Sequence, residues 1–477
     1  MTTDVTTPRQ EYSDMLPSVT QNRLAVAGQR AVRKAGIKCL APLASMLCST
    51  TYVDGVSQVN YSTSLTVEGQ AKYQKYLANA YFYGASGRTV TGLGGLISAK
   101  KPIKEIPPSI DYMDTNVNGK GQTLRDFSND AISEAFTSVW SGILVARPTT
   151  PEGASKLDEE TQNLRPKLLH YKFESVINWD YEVINNIEKL SLLVLKESTT
   201  KRDGFKVETE DQYRVLELID GLYVQSLYDD SGEILENQTT VIFNGKPSDE
   251  IPFYWIVAET ETKAVIDDLV DANYEHYNIY ADYGSKLHYS SFIIYTENSN
   301  SNEANNMVIG NGVKWNGSED GSFGILQPDG NADSHRLALQ DTELRMAALG
   351  AEMLKPRTSG AESAEAKSLD QVAQNSTTAN VAITVSDAIT KALNFSSKIM
   401  GGSEDAVYML NTDYNPSRMS GQDLTALTAT WQGGGMSWDT YYMNLQQGEI
   451  ASADRTAEEE QKLISDADMG LGNGENE

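Results

Sequence analysis

The chain has 477 residues, enough for two to four modules with a substantial core. Sixty-six acidic residues against 39 basic ones leave a net charge of −27, which excludes a broad electrostatic embrace of DNA or of an anionic membrane. Two cysteines, Cys39 and Cys48, exclude a disulfide scaffold, the absence of a secretory h-region points to a reducing cytosol, and the longest strongly apolar run, Leu190–Leu195, is far short of the roughly 20 residues that span a bilayer.

Residues 1–17 are Thr-rich and polar with early prolines, and read as a loose arm with order beginning near Ser18. From Thr20 to Cys39 a helix carries Arg23, Arg30, Arg33, Lys34 and Lys38 among Leu24, Ala25, Ala27 and Val32. Such a face is either simply solvated or a docking arm for an acidic neighbour. Residues 64–102 read as a packed pair of helices joined by a small-residue turn. Leu124, Phe127, Ala131, Ile132, Ala135, Phe136 and Val139 have helical spacing that feeds a strand over 142–146.

After an exposed connection over 149–164, β-branched and aromatic segments alternate between turn signals at Asp203-Gly204, Asp220-Gly221 and Ser231-Gly232. They predict an antiparallel sheet of about four to six strands. The period then lengthens to 3.6 over residues 263–289, a helix about 40 Å long with Asp267, Asp271 and Glu275 in one acidic stripe. Three short β-like runs follow, SFIIYT, MVIGNGVKW and GSFGILQP, as a compact lobe inserted between helices.

A second helix over 333–354 stops at Pro356. The loop Lys355-Pro-Arg-Thr-Ser-Gly360 precedes a long Ala/Ser/Thr-rich helix from Glu362 to about Ile399, for which Ser359 is a cap. The tail from Pro416 reads as short helices ending in an acidic, Gly-rich segment.

Chemistry-bearing motifs are missing from this string. Gly119-Lys120 is followed by Gly121 and Gly245-Lys246 by Pro247, so neither makes a P-loop; Gly92-Leu-Gly94-Gly95 lacks the last glycine of a dinucleotide fingerprint. His170, His276, His288 and His335 have no zinc spacing, and the many carboxylates form no motif that marks an acid/base couple. No catalytic residue, metal site or cofactor is expected; the remaining enzyme possibility is an unrecognised carboxylate site.

The order helix, small β lobe, helix, basic kink, long helix resembles the stem, clip, stem, tunnel loop and long helix of tailed-bacteriophage portal proteins. EYSDMLPSVTQNRLAVAGQRAVRKAG, YLANAYFYGASGRTVTGLGGLISAKKP, GQTLRDF with SGILVARP, RPKLLHYKFESVINW, GKPSDEIPF, LVDANYEHYNIYADYGSKLHYSS and ALTATWQGGGMSWDTYYMNLQQGEI are similar, in order, to landmarks of one portal family long catalogued as a domain of unknown function. The resemblance implies an α+β portal fold: flexible arm 1–17, mixed wing 18–262, stem helix one 263–290, small α/β clip 291–331, stem helix two 332–354, tunnel loop 355–361, long helix and return to the wing 362–415, and helical crown with acidic tail 416–477.

It further implies a dodecameric ring at one capsid vertex, assembled in the host cytoplasm and carrying double-stranded DNA transiently and without sequence preference. Expected partners are the terminase large subunit, a head-tail adaptor or tail protein, and the major capsid and scaffolding proteins; no membrane is involved. By position, Lys355, Arg357, Thr358 and Ser359 fall on the tunnel loop, Asp267, Asp271 and Glu275 on the first stem helix facing channel or neighbour, and Lys314, Trp315 and Glu319 on the clip. Lys355 and Arg357 would touch phosphates or merely favour a helix end; Trp315 would be an interface anchor or a core residue. The alternative is another ring-forming head or tail protein that threads no DNA.

Overall fold

The computed structural model describes residues 4–53, 56–147, 164–243, 246–290, 294–298, 322–326, 331–350, 364–402, 405–412, 414, 421–448, 450–452 and 455–471. The chain divides into two compact units, Met1–Thr412 and Asp413–Glu477. It is a mixed α+β protein of helices and antiparallel sheets.

Helix α1 (Gln10–Ala27) begins well before Ser18, which corrects the expectation of a loose arm through residue 17. The reason is tertiary: the Arg9 backbone N–H donates to the Ile177 carbonyl at 2.9 Å, its guanidinium lies 5.2 Å from the Trp179 ring centre, and Tyr12 stacks on Phe173 at 5.2 Å. Gly28, at φ +81°, breaks α1 from α2 (Gln29–Ala35). The hairpin of β1 (Cys48–Val53) and β2 (Val56–Tyr61) adds an element to those expected above.

Thr66 caps α3 (Val67–Asn79) by accepting the Gly69 N–H at 3.0 Å. The predicted pairing of residues 64–102 is not what the fold uses: α3 packs on the long helix after residue 266, whereas α4 (Ala85–Ser98) lies against α1 and α5. After β3 (Ile103–Glu105), Thr123 caps α5 (Leu124–Thr137) in the same way, and α5 feeds β4 (Ser141–Ala146) as its spacing predicts.

β5 (Lys167–Tyr171) joins β4 instead of the large sheet, because the chain bends at Phe173–Ser175 before β6 (Val176–Ile184). β7 (Ile187–Asp203), β8 (Lys206–Ile219), β9 (Leu222–Asp229) and β10 (Ile234–Thr240) complete a five-stranded antiparallel meander in the order β10-β9-β8-β7-β6. Asp220 and Gly221, at φ +51° and +76°, give the β8–β9 turn the twist of a two-residue hairpin. A short pair, β11 (Ile242–Phe243) and β12 (Lys246–Pro247), leads to β13 (Phe253–Val257), which completes the sheet β13-β4-β5.

Trp140, Phe173, Trp179, Leu193, Leu195 and Leu216 form the core between α1 and these sheets. The Trp140 ring stands edge-on to Trp179 at 4.9 Å and its Nε1–H donates to the Val176 carbonyl at 3.2 Å, so its polar edge is satisfied while its apolar area is buried.

Helix α6 (Asp267–Ser290) is 24 residues, starting later than the predicted residue 263. β14 (Ile294–Asn298) pairs antiparallel with β15 (Ser322–Leu326); the middle run predicted between them lies outside the described residues. α7 (Asp333–Ala348) packs on α6, and α8 (Ala364–Ile399) runs 36 residues before β16 (Val407–Met409) returns to pair with β3. The second unit holds α9 (Gly421–Gln432), α10 (Trp438–Gln447) and α11 (Ala457–Leu471). Within it, Trp431 stacks on Tyr441 at 4.7 Å.

Candidate functional site

The two faces of α6 differ in kind. Its inner face buries Leu269, Val270, Ala272, Tyr277 and Ala281 against α1, α3 and α4. Among the described residues, Asn273, His276 and Ser285 are its buried polar side chains. Asn273 is fully buried: its Oδ1 accepts from the Ser86 Oγ at 3.0 Å and its Nδ2 donates to the Tyr83 carbonyl at 2.6 Å, so burial leaves its amide partnered. His276 lies 3.4 Å from Glu343 of α7 through Nε2, while its Nδ1 has no partner among the described residues. Burial pushes the imidazole pKa down, and the Glu343 carboxylate pulls against that shift.

The outer face exposes Asp268, Asp271, Glu275 and Asp282. Asp267 is not part of it, which corrects the predicted stripe. It is half-buried, its Oδ1 accepting from Asn22 Nδ2 at 2.7 Å and its Oδ2 capping the Ala264 N–H at 3.0 Å. The spacing of four residues drifts by about 40° per step, so three acids at i, i+4 and i+8 do not share one line. Glu275 pairs with Arg345 of α7, Asp268 with Lys263 at 2.6 Å, and Asp282 accepts from the Tyr76 hydroxyl at 2.7 Å. Asp271 has no ion pair among the described residues; partial burial and the neighbouring Asp267 and Asp268 carboxylates push its pKa up.

A second polar cluster, unforeseen in the sequence, lies where α1, α5 and the bend before β6 meet. The Arg23 guanidinium donates to Glu134 and, through Nε, to Glu174 at 2.8 Å, and through Nη1 to the Thr137 hydroxyl at 2.7 Å. Glu134 is only 2% exposed and also accepts the Phe173 N–H at 3.2 Å. Burial opposes the charge on Arg23, but hydrogen bonds to Glu174 and Glu134 outweigh it and hold the pKa above the usual value. The acidic neighbour of this basic helix is therefore partly the chain itself. No local signal marks Arg23, Glu134 and Glu174 as partners, since 111 and 151 positions separate them.

Lys355, Arg357, Thr358 and Ser359 of the predicted tunnel loop, and Lys314, Trp315 and Glu319 of the predicted clip, lie outside the described residues. Among the described residues no cluster of three His, Cys, Asp or Glu side chains is arranged to hold a metal ion, and no helix is long and apolar enough to cross a membrane.

Residues 266–400 match the model of a family described as a domain of unknown function, DUF4055. No curated protein sequence matches the chain. Among solved structures, a chain from the virion of a native gene transfer agent (GTA) particle aligns at a TM-score of 0.40 and 12% identity, over 78% of this chain and 92% of that one. That likeness is too slight to assign a fold.

Proposed function

We propose that this chain is a virion structural protein, the portal of a tailed bacteriophage. Twelve copies would form a ring at one capsid vertex, through which double-stranded DNA enters during packaging and leaves at ejection. The observation that carries this reading is the element order between residues 266 and 400. There α6, a β14/β15 insertion, α7 packed back on α6, and the 36-residue α8 follow one another. This is the stretch matched by the domain of unknown function, and the order in which the sequence resembles stem, clip, stem and long helix.

The charge supports the same reading. Twelve copies at −27 each present a wall that repels phosphates at long range, so a polyanion slides instead of sticking. Catalysis is not part of the role: hydrolysis belongs to a separate terminase motor that docks on the clip and gives way to a head-tail connector. Lys355 and Arg357 would touch the passing backbone without reading sequence.

Negative-stain electron microscopy of the purified protein tests the reading directly. Twelvefold or thirteenfold rings with an open central hole are the expected class averages. Monomers and dimers at every concentration, in the presence of scaffolding protein as well as alone, would reject it. A Lys355→Ala/Arg357→Ala variant is expected to form rings but to yield poorly filled heads; normally filled heads would remove the two cations from the DNA path.

A further inference from the structure

Where α3 meets the end of α6, a cavity of about 250 Å³ is walled by Lys72, Lys75, Tyr76, Asn79, Ser285 and His288. It exists because Gly284 lets the helices approach: a Cβ there would sit 3.0 Å from the Asn79 carbonyl oxygen. No carboxylate lines it, in a chain where acids outnumber bases 66 to 39. Asp282 of α6 is engaged by the Tyr76 hydroxyl at 2.7 Å. Lys72 and Lys75 are exposed and in no ion pair among the described residues, unlike Arg23, Lys189, Lys196, Lys263 and Arg345, each of which has its acid within the chain. The opposite charge lies on the outer face of α6, where Asp271 is exposed with no ion pair among the described residues and Asp268 is held by Lys263 at 2.6 Å.

We infer that the cavity walled by Lys72 and Lys75 receives the outer acidic face of α6, through Asp271 and Asp268, from a second copy of this chain. Two like-charged copies repel over most of their surfaces, so association needs places where a carboxylate meets a cation. Among the described residues the cationic cavity and the acidic face lie at different positions. A contact between unlike patches is head-to-tail, and it closes into a ring or runs on as a filament according to the rotation between copies. The inference deepens the portal reading, on which its choice of partner rests, and assigns the acidic stripe to the neighbour, not the channel.

The test is a charge exchange read by sedimentation velocity and electron microscopy. Lys72→Glu/Lys75→Glu and Asp268→Lys/Asp271→Lys chains, each checked for an unchanged melting temperature, are expected to lose self-association by tenfold or more. An equimolar mixture of the two is expected to recover it, because each variant's altered patch then faces the other's altered patch. A merely misfolded variant would not recover on mixing. Assembly by either variant alone at wild-type strength, or a mixture no better than its components, overturns the inference. Rings that form in every variant would leave the portal reading standing and remove this contact. Association governed by the exchange but without closed rings would do the reverse, and a chain that never self-associates would overturn both.

Discussion

Two arginine–glutamate contacts in this protein look alike in sequence and differ in physics. Arg23 meets Glu134 and Glu174 with the Glu134 side chain 2% exposed, whereas Arg345 and Glu275 meet across α6 and α7 with about half of each side chain in water. At Glu134 the bond to Arg23 replaces hydration that folding has already removed, Thr137 and the Phe173 amide complete the coordination, and Glu174 keeps its contact with water. At Arg345, water competes for both partners and salt screens them. The same residue types therefore anchor the fold in one place and merely decorate it in the other.

The largest expected effect comes from breaking the buried contact. Arg23→Met leaves Glu134 buried without its cation and is expected to cost about 3–5 kcal/mol in urea unfolding. A smaller loss for the double variant Arg23→Met/Glu134→Leu than for Arg23→Met alone would show that the stranded charge, not the pair itself, carries the cost.

Next comes a pH effect beside the same cluster. His170 is enclosed near Phe127, with Nε2 lacking a partner among the described residues, and burial pushes its pKa down to about 4. Between pH 6.5 and about 4 the unfolded chain binds a proton that the folded chain refuses. Stability is then full above pH 6.5 and falls on acidification, by up to roughly 3 kcal/mol for this group. Glu174, whose pKa Arg23 holds down against the opposing effect of burial, adds a loss of the same sign at lower pH. Urea melts from pH 7 to 4.5 should show this slope, and His170→Gln should flatten it; an unchanged slope would assign the acid sensitivity elsewhere.

The smallest effect is expected at the exposed pair. Arg345→Ala or Glu275→Gln should change stability by no more than about 1 kcal/mol, and the change should shrink in high salt. A loss as large as that at Arg23 would mean that α6 and α7 depend on this contact, and the comparison would fail.

Element type was legible wherever a period ran long enough. α5, the meander β6 to β10, α6, α7 and α8 follow from spacing and turn residues, because local steric preferences such as those at Asp220-Gly221 need no distant partner, although α7 ends at Ala348, short of the expected residue 354, and Pro356 lies outside the described residues. The arm was misread for the opposite reason: residues 10–17 are polar, and only their contacts with Ile177, Trp179 and Phe173 make them part of the wing. β1 and β2 carry a local signal of their own, since Thr50-Thr-Tyr-Val53 and Val56–Tyr61 flank Asp54-Gly55, a pair that favours a two-residue hairpin. Asn273 and His276 sit in an apolar stripe, where an isolated polar residue is a faint sign of a buried hydrogen bond; their partners on Tyr83, Ser86 and Glu343 left no sign at all.

By itself the sequence determined the strong negative charge, the absence of P-loop, dinucleotide and zinc spacings, the order of the longer helices and of the meander, and the resemblance that suggests a portal. Those properties are local or additive, so a linear string holds them. Only the tertiary structure decided that Asp267 turns inward to Asn22, that Glu275 is met by Arg345, that Arg23 finds its acids within the chain, and that Lys72 and Lys75 border a cavity without a carboxylate. Each of these depends on which surfaces packing removes from water, and burial is a property of the whole fold.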